Sequence, residues 1–392
     1  MVAALAAAML VACGGGGTAA DAGSSTTPQA ASMSPAALLG RKIFEDVSLS
    51  ASGRQACASC HSAAHAHAAP NALAVQPGGV LLEQQGVRAS PSIRYLAFDG
   101  AFHFDRDGTP TGGFFWDGRA SSLQEQAGKP FLNAIEMANA DVASVIDKLS
   151  RAAYAEQFQQ LYGSDIFSRP DDAFARMTLA LQQFQREDPA FSPFSSKYDN
   201  FLRGKLQLSD QEMRGLALFN SPAKGNCAAC HPSTRSSDGT PPLFTDFTYD
   251  NLGVPRNPAI PANADPSRYD LGLCARDGDD LASRTDLCGA FKVPTLRNVA
   301  TRKAFFHNGR FTSLKDALTF YVQRDTNPEK FYPVRSDGTV DKFDDLPAAY
   351  QGNVNTSEAP YNRRSGDEPA LNDAEIDDLI AFLQTLTDSD AN

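Results

Sequence analysis

The sequence predicts an all-α protein divided into two halves. Apolar residues recur at helical spacing along much of the chain, and no long segment alternates apolar and polar residues as a strand does. The 392 residues, of which 42% are hydrophobic, are enough for two domains of ordinary size. One copy of a short cysteine and histidine motif lies in each half, so we expect a small helical domain around each copy.

The motif is C-x-x-C-H, at Cys57–His61 and again at Cys227–His231. It is the attachment signature of a c-type haem, because one helical turn places both thiols where they can bond the vinyl groups of one porphyrin. The histidine that follows becomes the proximal ligand of the iron. A zinc site or a redox dithiol is the alternative, but the cysteine pairs of a zinc ribbon lie close together in sequence and these do not. We therefore predict two covalently bound haem c groups, held by Cys57, Cys60, His61, Cys227, Cys230 and His231.

The chain is acidic, with a formal net charge of -11 and a pI near 5.0. This balance argues against nucleic acid as a partner. An acidic surface can steer a basic redox protein towards a binding site, although it more often only keeps a protein in solution.

The N-terminus indicates export from the cytoplasm. Residues 1–13 hold a short apolar run that ends in Leu10–Gly14 (LVACG), which resembles a bacterial lipobox, and Cys13 would then carry a lipid anchor. A plain secretory signal peptide with an incidental cysteine is the alternative. The run is too short to span a bilayer as a helix. We expect a periplasmic protein, with residues 14–34, rich in Gly, Ser, Thr and Ala, as a flexible tether.

The helical segments follow in order after the tether. Residues 35–44 form an amphipathic helix that begins with proline and precedes the first haem motif, as the first helix of a cytochrome c fold does. A capping box at Ser209–Glu212 begins the corresponding helix, 209–218, before the second motif. Residues 62–115 and 232–295 lack periodicity. The other predicted helices span 116–127, 141–149, 152–161, 170–185, 314–322 and 374–386. The expected architecture is two cytochrome c-like haem domains with long loops, residues 35–205 and 206–392.

Two cysteines remain after the haem thiols and Cys13. Cys274 and Cys288 flank an Asp-rich loop, and an extracytoplasmic compartment favours a disulfide between them. Two buried free thiols are the alternative.

Four further segments accompany the two haem motifs. They are Phe115–Ala120, Glu125–Ala127, Asn133–Met137 and Val293–Val299. Together with the motifs, their order and approximate separations resemble the dihaem cytochrome c peroxidase / MauG family over nearly the whole chain after Ser34. The resemblance implies that the N-terminal haem reacts with hydrogen peroxide and that the C-terminal haem receives and relays electrons.

The resemblance also implies roles for three side chains near the first haem. Glu136 would transfer a proton between the peroxide oxygens, and Gln126 would orient the peroxide. A solvated helix residue is the alternative for Glu136. Trp116, the only tryptophan, would relay electrons between the haems, or it is an ordinary core aromatic.

Many relatives block the reactive haem with a distal histidine on the loop after the first motif. Here that loop offers only His65 and His67, and six residues extend at most ~20 Å, too little to pass comfortably around a porphyrin. We expect both to contact propionates or the proximal face, and we predict a five-coordinate first haem. His103 is a further candidate for a distal contact.

For the second haem, the position that carries a methionine ligand in peroxidases of the family corresponds to Tyr321. MauG-type members carry a tyrosinate there, so we predict that Tyr321 ligates the iron, with a packed tyrosine as the alternative. His307 and Arg297 are expected to pair with propionates. The family also holds a calcium ion between its domains, and we doubt it here because Ala89 replaces the asparagine ligand. Arg302 and Ala304 depart from the usual segment as well.

Three functions are compatible with these residues. The first is a peroxidase that reduces hydrogen peroxide with electrons from a small cytochrome or a cupredoxin. The second is a MauG-like enzyme that oxidises a tryptophan or another residue on a partner protein. The third is an electron carrier with two six-coordinate irons and no peroxide chemistry.

Overall fold

The computed structural model describes residues 33–278 and 280–391. The predicted signal peptide with its lipobox, 1–13, and most of the predicted tether lie outside these ranges. Ser34, the last residue of that tether, is held in place: its Oγ accepts a hydrogen bond from the backbone amide of Ala37, and its own amide donates to Glu187 at 2.7 Å. None of the described helices is long and apolar enough to cross a membrane.

The regular structure is mostly helical. The helices are α1 Pro35–Glu45, α2 Cys57–Cys60, α3 Leu123–Leu132, α4 Val142–Leu149, α5 Ala155–Tyr162, α6 Pro170–Glu187, α7 Lys197–Leu202, α8 Asp210–Asn220, α9 Leu314–Gln323 and α10 Asp373–Gln384. Three antiparallel pairs of two-residue strands join the loops: β1 Pro77–Gly78 with β2 Gln84–Gln85, β3 His103–Phe104 with β4 Pro110–Thr111, and β5 Tyr249–Asp250 with β6 Phe291–Lys292. Seven of the predicted helices are confirmed to within three residues at each end.

The helix predicted to open at Trp116 was placed wrongly, because α3 begins only at Leu123. The amide of Phe114 donates to the carbonyl of Ala120 at 2.8 Å and closes a turn between them. Gly118 has φ +67° inside this turn, a left-handed conformation that interrupts any helix. Trp116 therefore lies on a rigid loop that leads into α3.

Each half contains a close helix crossing at a glycine. A Cβ on Gly40 of α1 would lie 2.0 Å from the carbonyl oxygen of Ala180 in α6. A Cβ on Gly215 of α8 would lie 2.1 Å from the carbonyl oxygen of Asp378 in α10. In each half, the helix before the haem motif therefore packs with its backbone directly against the backbone of another helix: α1 against α6, and α8 against α10. Only glycine permits so close an approach.

We expect Gly40→Ala and Gly215→Ala each to destabilise the protein by about 1–3 kcal/mol, because the added methyl must push two packed helices apart. Thermal unfolding of the haem-loaded protein measures this. Gly352→Ala is the matched control, since a Cβ there meets nothing within 4 Å and the backbone is not left-handed. Equal midpoint temperatures of unfolding for all three variants would contradict the close helix crossings.

Two separate apolar clusters lie on either side of residue 195. The first packs α1, α3, α4, α5 and α6 around side chains such as Ile43 and Phe184, and the second packs α7 to α10 around Phe219 and Phe382. Tyr198 belongs to the second cluster, although the predicted boundary at residue 205 assigns it to the first domain. The division into two domains stays a prediction.

The loop 88–95 connects the two clusters through buried charges. Asp388, which is fully buried, accepts hydrogen bonds from Tyr95 Oη at 2.9 Å and Arg94 Nη1 at 3.2 Å. At the other end of the loop, Arg88 pairs with Asp117 and with Asp270. Because breaking a buried pair leaves an unpaired charge, these contacts hold the loop in one position.

A disulfide joins Cys274 and Cys288. Both cysteines belong to a small apolar cluster with Tyr249 and Leu273, within the long irregular segment of the second half. The crosslink joins two positions that are 14 residues apart, and the second of them precedes β6.

Candidate haem sites and the segment between them

The first cavity is built around the motif Cys57–His61. Both thiols and the imidazole line it, and α2 supplies the helical turn that places them side by side. The Nδ1 of His61 lies 3.1 Å from the carbonyl oxygen of Pro91 and 3.3 Å from that of His67. Since carbonyls only accept, Nδ1 carries the hydrogen and Nε2 keeps its lone pair. Burial lowers the pKa of His61 to about 4, so the ring is neutral and can bind a metal.

Glu136 and Gln126 line the same cavity. Glu136 sits on a tight turn after α3, in which its amide donates to the carbonyl of Asn133 at 3.0 Å. The side-chain amide of Asn133 donates to the Glu136 carboxylate at 2.9 Å. The amide of Gly79 donates to the carbonyl of Glu136 at 2.7 Å, and a Cβ on Gly78 would lie 2.3 Å from the carbonyl oxygen of Ile135. Asn133 therefore holds the carboxyl group of Glu136, and the segment at Gly78 and Gly79 holds its backbone.

Burial raises the pKa of Glu136 above its usual value. The hydrogen bond from Asn133 and the positive charge of Arg119 oppose this rise, because both favour the charged carboxylate. Because burial favours the neutral form while Asn133 and Arg119 favour the charged form, this carboxyl group can both accept and return a proton. This placement disfavours the alternative of a solvated helix residue.

The three histidines considered for contacts near the first haem, His65, His67 and His103, do not line its cavity. His67 is buried with its ring stacked on Phe191 at 4.1 Å between centroids, and His65 contacts the hydroxyl of Ser62. Neither lines the first cavity. His103 is exposed and contacts Ala101 and Asp105, so the suggested distal contact is wrong. The five-coordinate first haem stays a prediction.

The second cavity repeats the donor set of the first. Cys227, Cys230 and His231 line it, with a 3₁₀ turn in place of the short helix. The Nδ1 of His231 donates to the carbonyl of Phe244 at 2.7 Å, and burial lowers the pKa of the ring. Two thiols and a neutral imidazole in each cavity fit the requirements of two covalently bound haem c groups.

Tyr321 lines the second cavity from α9. Its ring lies 5.4 Å from that of Phe306 and 6.0 Å from that of Tyr361, and burial raises the pKa of its phenol. Tyr361 lines the same cavity, and sequence reasoning missed it because it follows an irregular segment without periodicity. Two tyrosines are thus available beside the second haem.

Of the two expected propionate partners, His307 and Arg297, only His307 lines a haem cavity. His307 lines the second cavity, with its ring stacked on Phe291 at 3.5 Å between centroids. For Arg297 the prediction is wrong: its guanidinium makes two 2.9 Å hydrogen bonds to Asp199, and the side chain is outside both cavities. Its Nε also donates to the carbonyl of Pro242 at 2.8 Å, so all three guanidinium nitrogens are engaged by other groups of the protein.

Trp116 lies between the two sites. Its ring lines the second cavity, and its Nε1 donates to the carbonyl of Ala89 at 2.8 Å. The neighbours of Ala89 in the chain, Arg88 and Ser90, both line the first cavity. The backbone carbonyl of Trp116 accepts from the amide of Lys292 at 2.8 Å, so the indole is held at both ends.

Comparisons with known proteins agree on one family. Residues 34–207 match the family described as di-haem cytochrome c peroxidase. The chain is 36% identical to methylamine utilization protein MauG of Paracoccus denitrificans over 359 residues, 90% of this chain and 88% of that protein. It is 30% identical to cytochrome c551 peroxidase of Nitrosomonas europaea, over 74% of this chain and 73% of that one. The crystal structure of the diheme peroxidase BthA from Burkholderia thailandensis superposes with a TM-score of 0.82 at 41% identity, covering 91% and 86% of the two chains.

Proposed function

This chain belongs to the di-haem cytochrome c peroxidase family, and from that membership we propose how its two sites divide the reaction. It is an oxidoreductase that acts on hydrogen peroxide and carries two covalently bound c-type haems. In our proposal peroxide is reduced at the site of His61, and electrons enter at the site of His231. The observation that carries this division is the ionisable carboxyl of Glu136, which lines the first cavity beside Gln126.

The side chains of the first cavity handle the protons. The bound haem supplies the iron at which the oxygen–oxygen bond breaks, and two electrons and two protons convert one peroxide into two waters. Glu136 takes a proton from the incoming peroxide and returns it to the departing oxygen. The amide of Asn133 keeps the Glu136 carboxylate in one orientation, and Gln126 orients the peroxide.

Trp116 provides the path for the electrons in this proposal. Its indole lines the second cavity and is hydrogen-bonded to the segment that lines the first. A buried aromatic ring that bridges two redox sites shortens each electron-transfer step. Both the relay and the core roles foreseen for this tryptophan require the burial that the structure shows, with 8% of the residue exposed.

Turnover with a reduced small c-type cytochrome and hydrogen peroxide tests the proposal. We expect steady oxidation of the cytochrome by the wild-type protein, and a lower rate for Trp116→Phe, because the relay between the sites is interrupted. The first reaction of the oxidised protein with peroxide, followed by stopped-flow absorbance, should keep its rate in the variant. Loss of both rates would show that Trp116 supports only the fold, and failure of the wild type to oxidise any reduced donor would contradict the peroxidase proposal.

A second candidate function is MauG-like oxidation of a residue on a partner protein. Tyr321 in the second cavity and the 36% identity to the Paracoccus MauG support it. A tyrosinate ligand would lower the reduction potential of the second haem and disfavour its use as a simple entry point for electrons. Peroxide-dependent change in the mass of a co-purified partner protein, without turnover of reduced cytochrome, would favour this function.

We further propose a periplasmic enzyme whose lipid anchor, at Cys13, would hold it at a membrane. The lipobox-like segment of the sequence supports the anchor, and the attachment of c-type haems supports the compartment. The acidic surface would favour a basic electron donor such as a small cytochrome or cupredoxin.

A further inference from the structure

Arg302 lies between the two haem sites. Its side chain lines the second cavity together with Trp116. Its Nη2 contacts the carbonyl oxygen of Ser90, which lines the first cavity, at 3.5 Å. The same nitrogen and Nε contact the carbonyl oxygen of Ala304 at 3.3 Å. The guanidinium therefore faces backbone carbonyls contributed by both halves of the chain.

No carboxylate neutralises this arginine within residues 33–278 and 280–391. The other arginines at this junction, Arg88 and Arg94, each pair with aspartates. For Arg302, burial alone lowers the pKa to about 10, and no acidic side chain opposes that change. Arg302 itself therefore stays positively charged at neutral pH.

A calcium ion, which the family holds between its domains, does not fit this junction. Ala89 has no side-chain oxygen, and its carbonyl is already the acceptor of the Trp116 indole at 2.8 Å. The carbonyls of Ser90 and Ala304 face the guanidinium. Calcium binds six to eight oxygens, usually with carboxylates among them, and the positive charge of Arg302 would repel it.

We propose that the guanidinium of Arg302 supplies the positive charge between the two haem sites that a calcium ion supplies in the family, so that this enzyme functions without calcium. Like an ion, the guanidinium presents positive charge to converging carbonyl dipoles of both halves, and it cannot be removed by chelation. Its donors point in a fixed plane, which also ties Ser90 to Ala304 across the junction. The proposal rests on the proposed function and deepens it, because calcium binding is then no condition for activity.

The first test uses the haem-loaded wild-type protein without any substitution. We expect elemental analysis to find no stoichiometric calcium, and the visible spectra and midpoint potentials of both haems to be the same after EGTA dialysis and after addition of calcium chloride. Stoichiometric calcium, or a spectrum or potential that changes with EGTA, would overturn the proposal. Neither measurement uses peroxide turnover, so failure here is distinguishable from failure of the peroxidase function.

The second test removes the charge. In Arg302→Gln we expect the midpoint potentials of both haems to fall, because a nearby positive charge stabilises the reduced, less positive iron. Arg302→Lys keeps the charge and should keep potentials near those of the wild type. Unchanged potentials in Arg302→Gln would contradict the assigned role. If the glutamine variant does not fold, the calcium content of the wild-type protein and its response to EGTA still test whether the enzyme functions without calcium.

Discussion

Glu136→Gln is expected to slow the reaction with hydrogen peroxide by roughly 100- to 10,000-fold, the range over which a positioned general acid–base group acts. Glutamine keeps the shape of the side chain and can still contact Asn133, but it cannot take up or return a proton. The rate of the first spectral change after mixing with peroxide measures the effect. The haem content and the spectrum of the oxidised protein should be unchanged.

Glu125→Gln is the matched control. Glu125 lies on α3, the helix that precedes the turn of Glu136, and its exposed side chain pairs with Lys129 at 3.6 Å. It lines neither cavity. We expect this variant to react at the wild-type rate. A Glu136→Gln protein that also reacts at the wild-type rate would remove Glu136 from the reaction.

The same reaction followed across pH gives a further signature of Glu136. Burial raises the pKa of its carboxyl, and only the ionised form accepts a proton. The wild-type rate should therefore decrease as the pH falls through this raised pKa, and Glu136→Gln should lose that dependence. Asn133→Ala removes a hydrogen bond that favours the carboxylate, so it should move the decrease to higher pH.

Tyr321→Phe is expected to change the spectrum of the second haem while leaving that of the first unchanged. If the phenolate of Tyr321 ligates the iron, its loss removes an anionic ligand and raises the reduction potential of that haem. A spectroelectrochemical titration, with EPR of the oxidised protein, measures both effects. Tyr321→Met should raise the potential further, towards that of a histidine–methionine haem.

Tyr361→Phe distinguishes the two tyrosines of the second cavity. Its ring lies 6.0 Å from that of Tyr321, and Arg324 lies over it at 4.4 Å. We expect this variant to retain the wild-type spectrum, because the family resemblance implies that Tyr321, and not Tyr361, is the ligand. A spectral change in Tyr361→Phe but not in Tyr321→Phe would assign the ligand to Tyr361, and no change in either would exclude a tyrosinate.

Local patterns in the sequence were sufficient to predict the haem motifs and most of the helices. The thiols and histidine of each motif are adjacent in the chain, so one helical turn is enough to bring them together. Amphipathic spacing and capping residues such as Ser209 act within a few residues as well. The position of Glu136 was found through a family resemblance, since nothing in its neighbours alone indicates a cavity.

Contacts between distant residues could not be predicted. Arg297 was expected at a haem, but Asp199, 98 residues earlier in the chain, takes its guanidinium. Arg302 was noted only as a departure from the family pattern, and its role depends on carbonyls of Ser90 and Ala304 that converge in three dimensions. The loop that carries Trp116 was predicted as helix because the bond from Phe114 to Ala120 is invisible in residue spacing.

The central claim is that two covalently held haems share this chain and that the first has a coordination position open to peroxide. EPR of the oxidised, purified protein, before and after one equivalent of hydrogen peroxide, tests it most directly. We predict two ferric haem signals, one of them high-spin, and loss of the high-spin signal after peroxide is added. A single haem signal, or two low-spin signals that peroxide leaves unchanged, would contradict the claim and favour an electron carrier.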